Sequence, residues 1–193
     1  MSKKPHIGIV VGSTREGRFS ERAAAWFHGI AARRTDLSFE IIDLRDFPMP
    51  FFDEPASPAW VPPKDPVAER WAAKLAELDG FVFVTPEYNR SISGVLKNAI
   101  DVGSRPYGKS SFNGKPTGIV SNSPGPLGGV SAAKHLQNIL PGICGPIMQQ
   151  PEIYLNNVGD AFDDKGDLIK EPLQKVLKQY IDAFAVFIER HHR

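Results

Sequence analysis

Hydroxyl and guanidinium side chains crowd one short stretch, which reads Gly12, Ser13, Thr14, Arg15, Glu16, Gly17, Arg18, Phe19, Ser20. It lies between an apolar run and a segment of helical spacing. A loop in that position presents free N–H groups and the positive end of a helix dipole, and both favour an anion. Ser13, Thr14 and Ser20 add hydroxyl donors, while Arg15 and Arg18 add planar, permanently charged forks that suit phosphate oxygens. The chemistry expected is the binding of a monophosphate. A nucleoside triphosphate loop has the right glycine spacing here, but its lysine position is Arg18 and its magnesium-binding hydroxyl position is Phe19. A dinucleotide fingerprint needs glycine where Thr14 stands. A plain turn accounts for the glycines and leaves the two arginines unexplained.

A second constellation reads Thr85, Pro86, Glu87, Tyr88, Asn89, Arg90 and runs through Ser91, Ile92, Ser93 and Gly94 into Val95, Leu96, Lys97, Asn98, Ala99, Ile100, Asp101. One reading is a β-turn followed by a helix with Ser91 or Ser93 as N-cap. A turn alone does not call for Glu87, Tyr88 and Asn89 in succession. A third stretch holds Ser121, Asn122, Ser123, Gly125, Gly128 and Gly129; a glycine-rich turn before a helix remains an open reading of it.

The second constellation resembles the Pro-Glu-Tyr-Asn…Gly-x-Leu-Lys-Asn-Ala-Ile-Asp signature of the NAD(P)H-dependent FMN reductases, a group that includes enzymes described as quinone, azo-dye and chromate reductases. The first loop resembles the Gly-Ser-x-Arg phosphate loop of the same family, so the resemblance spans nearly the whole chain. It implies that Ser13, Arg15 and Ser20 hold the FMN phosphate, with Arg18 and Phe19 lining the loop. It implies that Pro86, Glu87, Tyr88 and Asn89 flank the isoalloxazine ring, where backbone N–H groups tune its electronics. Ser121, Ser123 and Gly125 would meet the edge of the ring. Lys97, Asn98 and Asp101 are equally open to helix packing or a subunit contact. Ser93 stands where family members often carry proline and Val102 where they often carry tryptophan. The second departure touches the detail of a dimer contact or site rim.

The implied activity is transfer of two electrons from NADPH or NADH through FMN to a small acceptor such as a quinone, azo compound, free flavin or oxyanion. The flavin carries the chemistry, so no side chain is assigned as general acid or base. The alternative is an FMN electron carrier without reductase activity, although a carrier needs an acidic docking face and this chain has a formal net charge of +1. The resemblance further implies a homodimer or homotetramer, in which Arg105 or Tyr107 would reach a neighbour's flavin.

These loops need a frame. Apolar runs at 7–11, 39–43, 80–85, 117–120 and 151–155 alternate with helical spacing over 19–34, 67–78, 94–102, 130–140 and 168–190. Such alternation predicts a parallel sheet with right-handed crossovers and ligands beyond the carboxyl ends of its strands. With the resemblance, the expectation is a flavodoxin-like three-layer α/β sandwich, a five-stranded parallel sheet of order 2-1-3-4-5, in a single FMN-binding domain over 1–193. Seven prolines between Phe47 and Pro66 predict a long surface loop, in which Phe51, Phe52 and Trp60 need somewhere to pack.

Composition narrows the remaining classes. The 193 residues are 41% hydrophobic and 23% charged, ordinary for one globular domain. No run of lysine and arginine exceeds two residues, which argues against nucleic acid or an anionic membrane as partner. No apolar run reaches about 18 residues, and the one at 7–11 is too short for a secretion signal. The single cysteine, Cys144, cannot form an intramolecular disulfide and reads as a buried, inert thiol. A cytoplasmic location follows as the expectation. The five histidines show no i, i+4 pair and none lies near the cysteine, so no metal is expected. The acidic turn at 163–167 lacks the order of a calcium loop, and no Gly-x-Ser-x-Gly elbow occurs.

Overall fold

A computed structural model describes residues 4–53, 64–105, 110–163 and 167–191. The first apolar run becomes β1 (His6–Val11), which lies between β2 (Ser38–Asp43) and β3 (Gly80–Pro86). β4 (Thr117–Asn122) and β5 (Tyr154–Leu155) extend the sheet beyond β3. All pairings are parallel, and the order is β2-β1-β3-β4-β5, as expected. The inner strands are apolar on both sides because both sides are covered.

Alternating residues feed two cores. Ile7, Ile9, Val11, Val82 and Val84 face α1 (Phe19–Ala31) and α5 (Glu171–His191) through Phe27, Tyr180 and Phe184. Val10, Phe81 and Phe83 face α2 (Pro66–Ala76), α3 (Gly94–Gly103) and α4 (Val130–Ile139) through Trp71, Leu96 and Leu136. Each fully buried large side chain contributes about 1.5–3 kcal/mol. Local signals fix the start of α2. Asp65 Oδ1 accepts from the N–H groups of Val67 (2.9 Å) and Ala68 (3.0 Å), with Pro66 at the first position of α2.

Three boundaries differ from expectation. β5 pairs only through Tyr154 and Leu155, because other groups occupy the free edge of β4. The Tyr180 hydroxyl accepts from Ile119 N (2.7 Å), and Thr117 bonds to Pro146 O and Met148 N (both 2.9 Å). Helix α1 stops at Ala31 rather than at residue 34, where the Arg34 guanidinium turns onto Asp36 and Asp182. α5 starts at Glu171, since Leu168 instead bridges to Phe162.

Of the proline-rich loop, residues 54–63 with Trp60 lie outside the described residues, as does Tyr107. Phe52 packs under the Arg105 guanidinium, 4.2 Å from ring centre to Cζ, while Phe51 stays 78% exposed. Among the described residues, no helix is long and apolar enough to cross a membrane, and no group of three or more His, Cys, Asp and Glu could hold a metal ion.

Candidate functional site

The carboxyl ends of β1, β3 and β4 deliver three loops to one end of the sheet. The first begins tightly: Gly12 N–H donates to Val84 O (2.9 Å), and a Cβ on Gly12 would meet that carbonyl at 3.0 Å and Leu96 at 2.9 Å. Ser13 is buried, residues 14–17 are exposed, and the chain turns at Gly17 with φ +65°. Arg18 is the N-cap of α1, but among the described residues no side-chain cap bonds the start of that helix. Its N-terminal N–H groups are therefore left for another acceptor.

Arg18 is only 2% exposed. Its Nη2 pairs with Asp43 Oδ2 at the end of β2 and lies 3.4 Å from Glu21. Its Nε and Nη1 have no hydrogen-bond partner among the described residues. Buried guanidinium nitrogens left in this state are costly unless a further anion meets them. The other oxygen of Asp43 accepts from Arg45 N (2.9 Å). The Arg45 side chain then reaches the exposed loop, with Nε donating to Thr14 O (3.2 Å) and Nη2 to Arg15 O (3.0 Å). Arg15 itself is exposed, and its N–H bonds to Ser13 Oγ (3.3 Å).

The second loop is a tight hairpin turn. Tyr88 and Ser91 exchange both backbone bonds (2.9 and 3.0 Å) around Asn89 (φ 52°) and Arg90 (φ 66°). Two central residues at positive φ are what a two-residue hairpin of the I′ kind requires. Asn tolerates that geometry, whereas for Arg90 it costs about 1–2 kcal/mol, the sort of strain that collects at functional sites.

Side chains bind this turn to its neighbours. The Tyr88 hydroxyl shares a 2.8 Å hydrogen bond with Ser13 Oγ, joining the second loop to the first. Ser93 caps α3 by accepting from Leu96 N (3.1 Å) and donates to Gly12 O (2.6 Å). Ser91 Oγ meets His135 Nδ1 on α4. Glu87 Oε2 accepts from Ser131 N (2.9 Å) and Ala132 N (3.4 Å) at the start of α4. That helix needs a remote cap because its own N-cap, Gly129, sits at φ 84° and has no side chain to offer.

The third loop is folded by its own hydroxyls. Ser121 Oγ donates to Gly128 O (2.8 Å), and Ser123 Oγ accepts from Gly125 N (3.1 Å). Asn122, 2% exposed, donates to Thr85 O and Ser20 Oγ (both 3.1 Å), pinning β3, β4 and α1 together.

The structure thus gathers Ser13, Arg15, Arg18, Phe19, Ser20, Pro86, Glu87, Tyr88, Asn89, Ser121, Ser123 and Gly125 at one end of the sheet. It does not turn them all toward a ligand. The Ser20 and Ser121 hydroxyls are buried and engaged within the protein. The Arg18 guanidinium is drawn onto Asp43, and the Glu87 carboxylate onto α4. Lys97 and Asp101 form an exposed helix pair (2.8 Å), and Asn98 holds the proline-rich loop by bonding Pro50 O (2.9 Å) and Phe52 N (3.0 Å). Asp43 and Arg45 were not singled out from the sequence, and Asn122 was named only as part of the third stretch, without a role of its own. The parallel order alone carried a signal for one of them, since the register sets Asp43 beside Val11 at the mouth of the first loop.

A cleft reaches the first loop at Thr14, and a second cleft shares Met49 with it. One is lined by Thr14, Arg45, Phe47, Met49, Val95 and Asn98, and the other by Met49, Phe51, Phe52, Asp53, Val102 and Arg105. A wider groove between α1 and α5 touches none of the three loops, and Arg34 and Lys178 within it are already paired with Asp182.

Comparison with known proteins gives a consistent picture. A family model described as NADPH-dependent FMN reductase matches residues 5–160. A quinone reductase of Pseudomonas putida is 38% identical over 189 residues, covering 98% of this chain and 97% of that one. A 2-hydroxy-1,4-benzoquinone reductase of a Burkholderia species is 34% identical over 183 residues, covering 94% and 95%. Among solved structures, the flavoenzyme FerB of Paracoccus denitrificans, an NAD(P)H:(acceptor) oxidoreductase, superposes with a TM-score of 0.84 at 30% identity, covering 98% of this chain and 100% of that one.

Proposed function

This chain belongs to the NADPH-dependent FMN reductase family, and we propose that its three loops hold FMN between a phosphate end and a ring end. Ser13, Arg15, Arg18, Phe19 and Ser20 surround the phosphate. Pro86, Glu87, Tyr88, Asn89, Ser121, Ser123 and Gly125 surround the ring. Electrons pass from NADPH or NADH to a small acceptor of the quinone class. FMN, once bound, supplies the two-electron chemistry. The observation that carries the reading is the uncapped start of α1 beside a buried arginine with two unpartnered nitrogens. A monophosphate dianion matches that donor set.

The protein's own contribution is placement. Tyr88 is fixed by Ser13, Glu87 by α4 and Ser93 by Gly12, so the rigid turn at 88–91 presents its backbone at a set height. No side chain is assigned as general acid or base. The reading includes a homodimer or homotetramer, for which exposed Phe51 beside Met49 and Val102 offers apolar surface.

The test is a visible spectrum of the FMN-loaded protein before and after anaerobic addition of NADPH. Bleaching of the flavin bands is expected. A flavin that stays oxidised would favour a carrier without reductase activity. A colourless protein after soaking in excess FMN would end the reading. In Arg15→Ala, loss of one charge-assisted hydrogen bond removes roughly 1.5–3 kcal/mol, so the FMN dissociation constant should rise about ten- to a hundredfold.

A further inference from the structure

We propose that Arg45 is a positioning residue for the anion loop, acting with Asp43 as a clasp that holds the loop's N–H groups in their binding orientation. The proposal rests on the reading that this loop receives the FMN phosphate. Residues 14–17 are exposed. Arg45 donates two nitrogens of one planar guanidinium to two successive carbonyls, Thr14 O (3.2 Å) and Arg15 O (3.0 Å). In a trans peptide the following N–H points opposite to the carbonyl. Turning both carbonyls toward Arg45 therefore turns the N–H groups of Arg15 and Glu16 away from it. The first of these already shows the direction, since Arg15 N–H meets Ser13 Oγ, the oxygen that also bonds Tyr88. Successive N–H groups facing one side make an anion-binding concavity.

Asp43 closes the clasp. One carboxylate oxygen receives Arg45 N (2.9 Å), and the other pairs with Arg18 at the far end of the same loop. A single carboxylate thus secures both ends of the loop to the corner after β2. The Val11–Asp43 register pair sets that corner beside the point where the loop leaves β1. Glycine and serine at the start of such loops are legible as phosphate-binding features. A residue of the next strand-end turn, working only through loop carbonyls, is not.

The experiment compares the full chain with Arg45→Ala and Arg45→Lys, each loaded with FMN or with riboflavin, which lacks the phosphate. Dilution releases flavin, and its fluorescence gives the dissociation constant. Arg45→Ala should weaken FMN roughly three- to tenfold and leave riboflavin unchanged. Arg45 is exposed, so the melting temperature should stay within about 2 °C of the parent. Arg45→Lys keeps the charge but cannot fork onto two carbonyls, so it should resemble Arg45→Ala. A lysine variant with parental FMN affinity would show that charge alone matters and overturn the proposal. Equal losses for FMN and riboflavin would also overturn it, by revealing general damage. If the parent itself binds FMN no better than riboflavin, the phosphate-loop reading falls, and the clasp falls with it.

Discussion

Replacing Glu87 tests whether its carboxylate serves the helix it caps as well as the loop it sits in. In Glu87→Ala, the N–H groups of Ser131 and Ala132 lose their acceptor, and Gly129 has no side chain to replace it. Loss of an N-cap costs about 0.5–2 kcal/mol, and loss of a negative charge at a helix N-terminus adds about 0.3–1 kcal/mol. A total of about 0.8–3 kcal/mol in a chain of 193 residues corresponds to a melting temperature lower by about 2–12 °C. Glu87→Gln keeps a neutral acceptor and forfeits the charge, so its loss should be smaller, about 1–4 °C. Thermal unfolding followed by circular dichroism at low and high salt separates the two contributions. The gap between parent and Gln variant should shrink with salt, because screening weakens the charge–dipole part. The reasoning fails if Glu87→Ala melts with the parent, since the carboxylate would then be doing nothing for α4.

Two further perturbations probe parts of the molecule away from these three loops. Tyr180→Phe removes the hydroxyl that Ile119 N–H bonds in the sheet interior, so the urea midpoint should fall by the equivalent of about 1–3 kcal/mol at unchanged slope; an unchanged midpoint would show that the hydroxyl is not needed to finish the edge of β4. Burial pushes the Cys144 thiol up to about 12, so at pH 8 its thiolate is roughly a thousandfold scarcer than that of a free cysteine. Alkylation of the folded protein should be slow at pH 8 and accelerate about tenfold per pH unit, the sign expected when the charged form is the one disfavoured; prompt labelling at pH 8 would contradict this.

The fold was legible because its signals are local. Continuous apolar runs of strand length can be buried only between two layers, and the helical spacings at 19–34 and 67–78 supply those layers. The ends were less legible. Residues 151–155 read as one strand of five, yet only Tyr154 and Leu155 pair, because a phenol 61 positions from Ile119 fills part of the ladder instead. No pattern within a strand reports which distant side chain will finish its edge.

The site divides along the same line. Ser13, Arg15 and the turn at 86–89 stand out because their residue types are unusual for the element they interrupt. The bonds that hold them do not stand out, since each joins residues far apart in sequence: Tyr88 to Ser13, Ser93 to Gly12, Glu87 to Ser131 and Arg45 to Thr14. Sequence order nevertheless limits the choices. Parallel strands in the order β2-β1-β3-β4-β5 bring the carboxyl ends of β2 and β3 to either side of the loop after β1. Any polar residue just past those ends, whether Asp43, Arg45, Tyr88 or Ser93, is therefore within reach of the anion loop. A flavin held on such crossed tethers should be weakened by breaking any one of them. Only the tether that orients phosphate-facing N–H groups should spare riboflavin, and that asymmetry distinguishes a loop positioned for an anion from one that is merely held still.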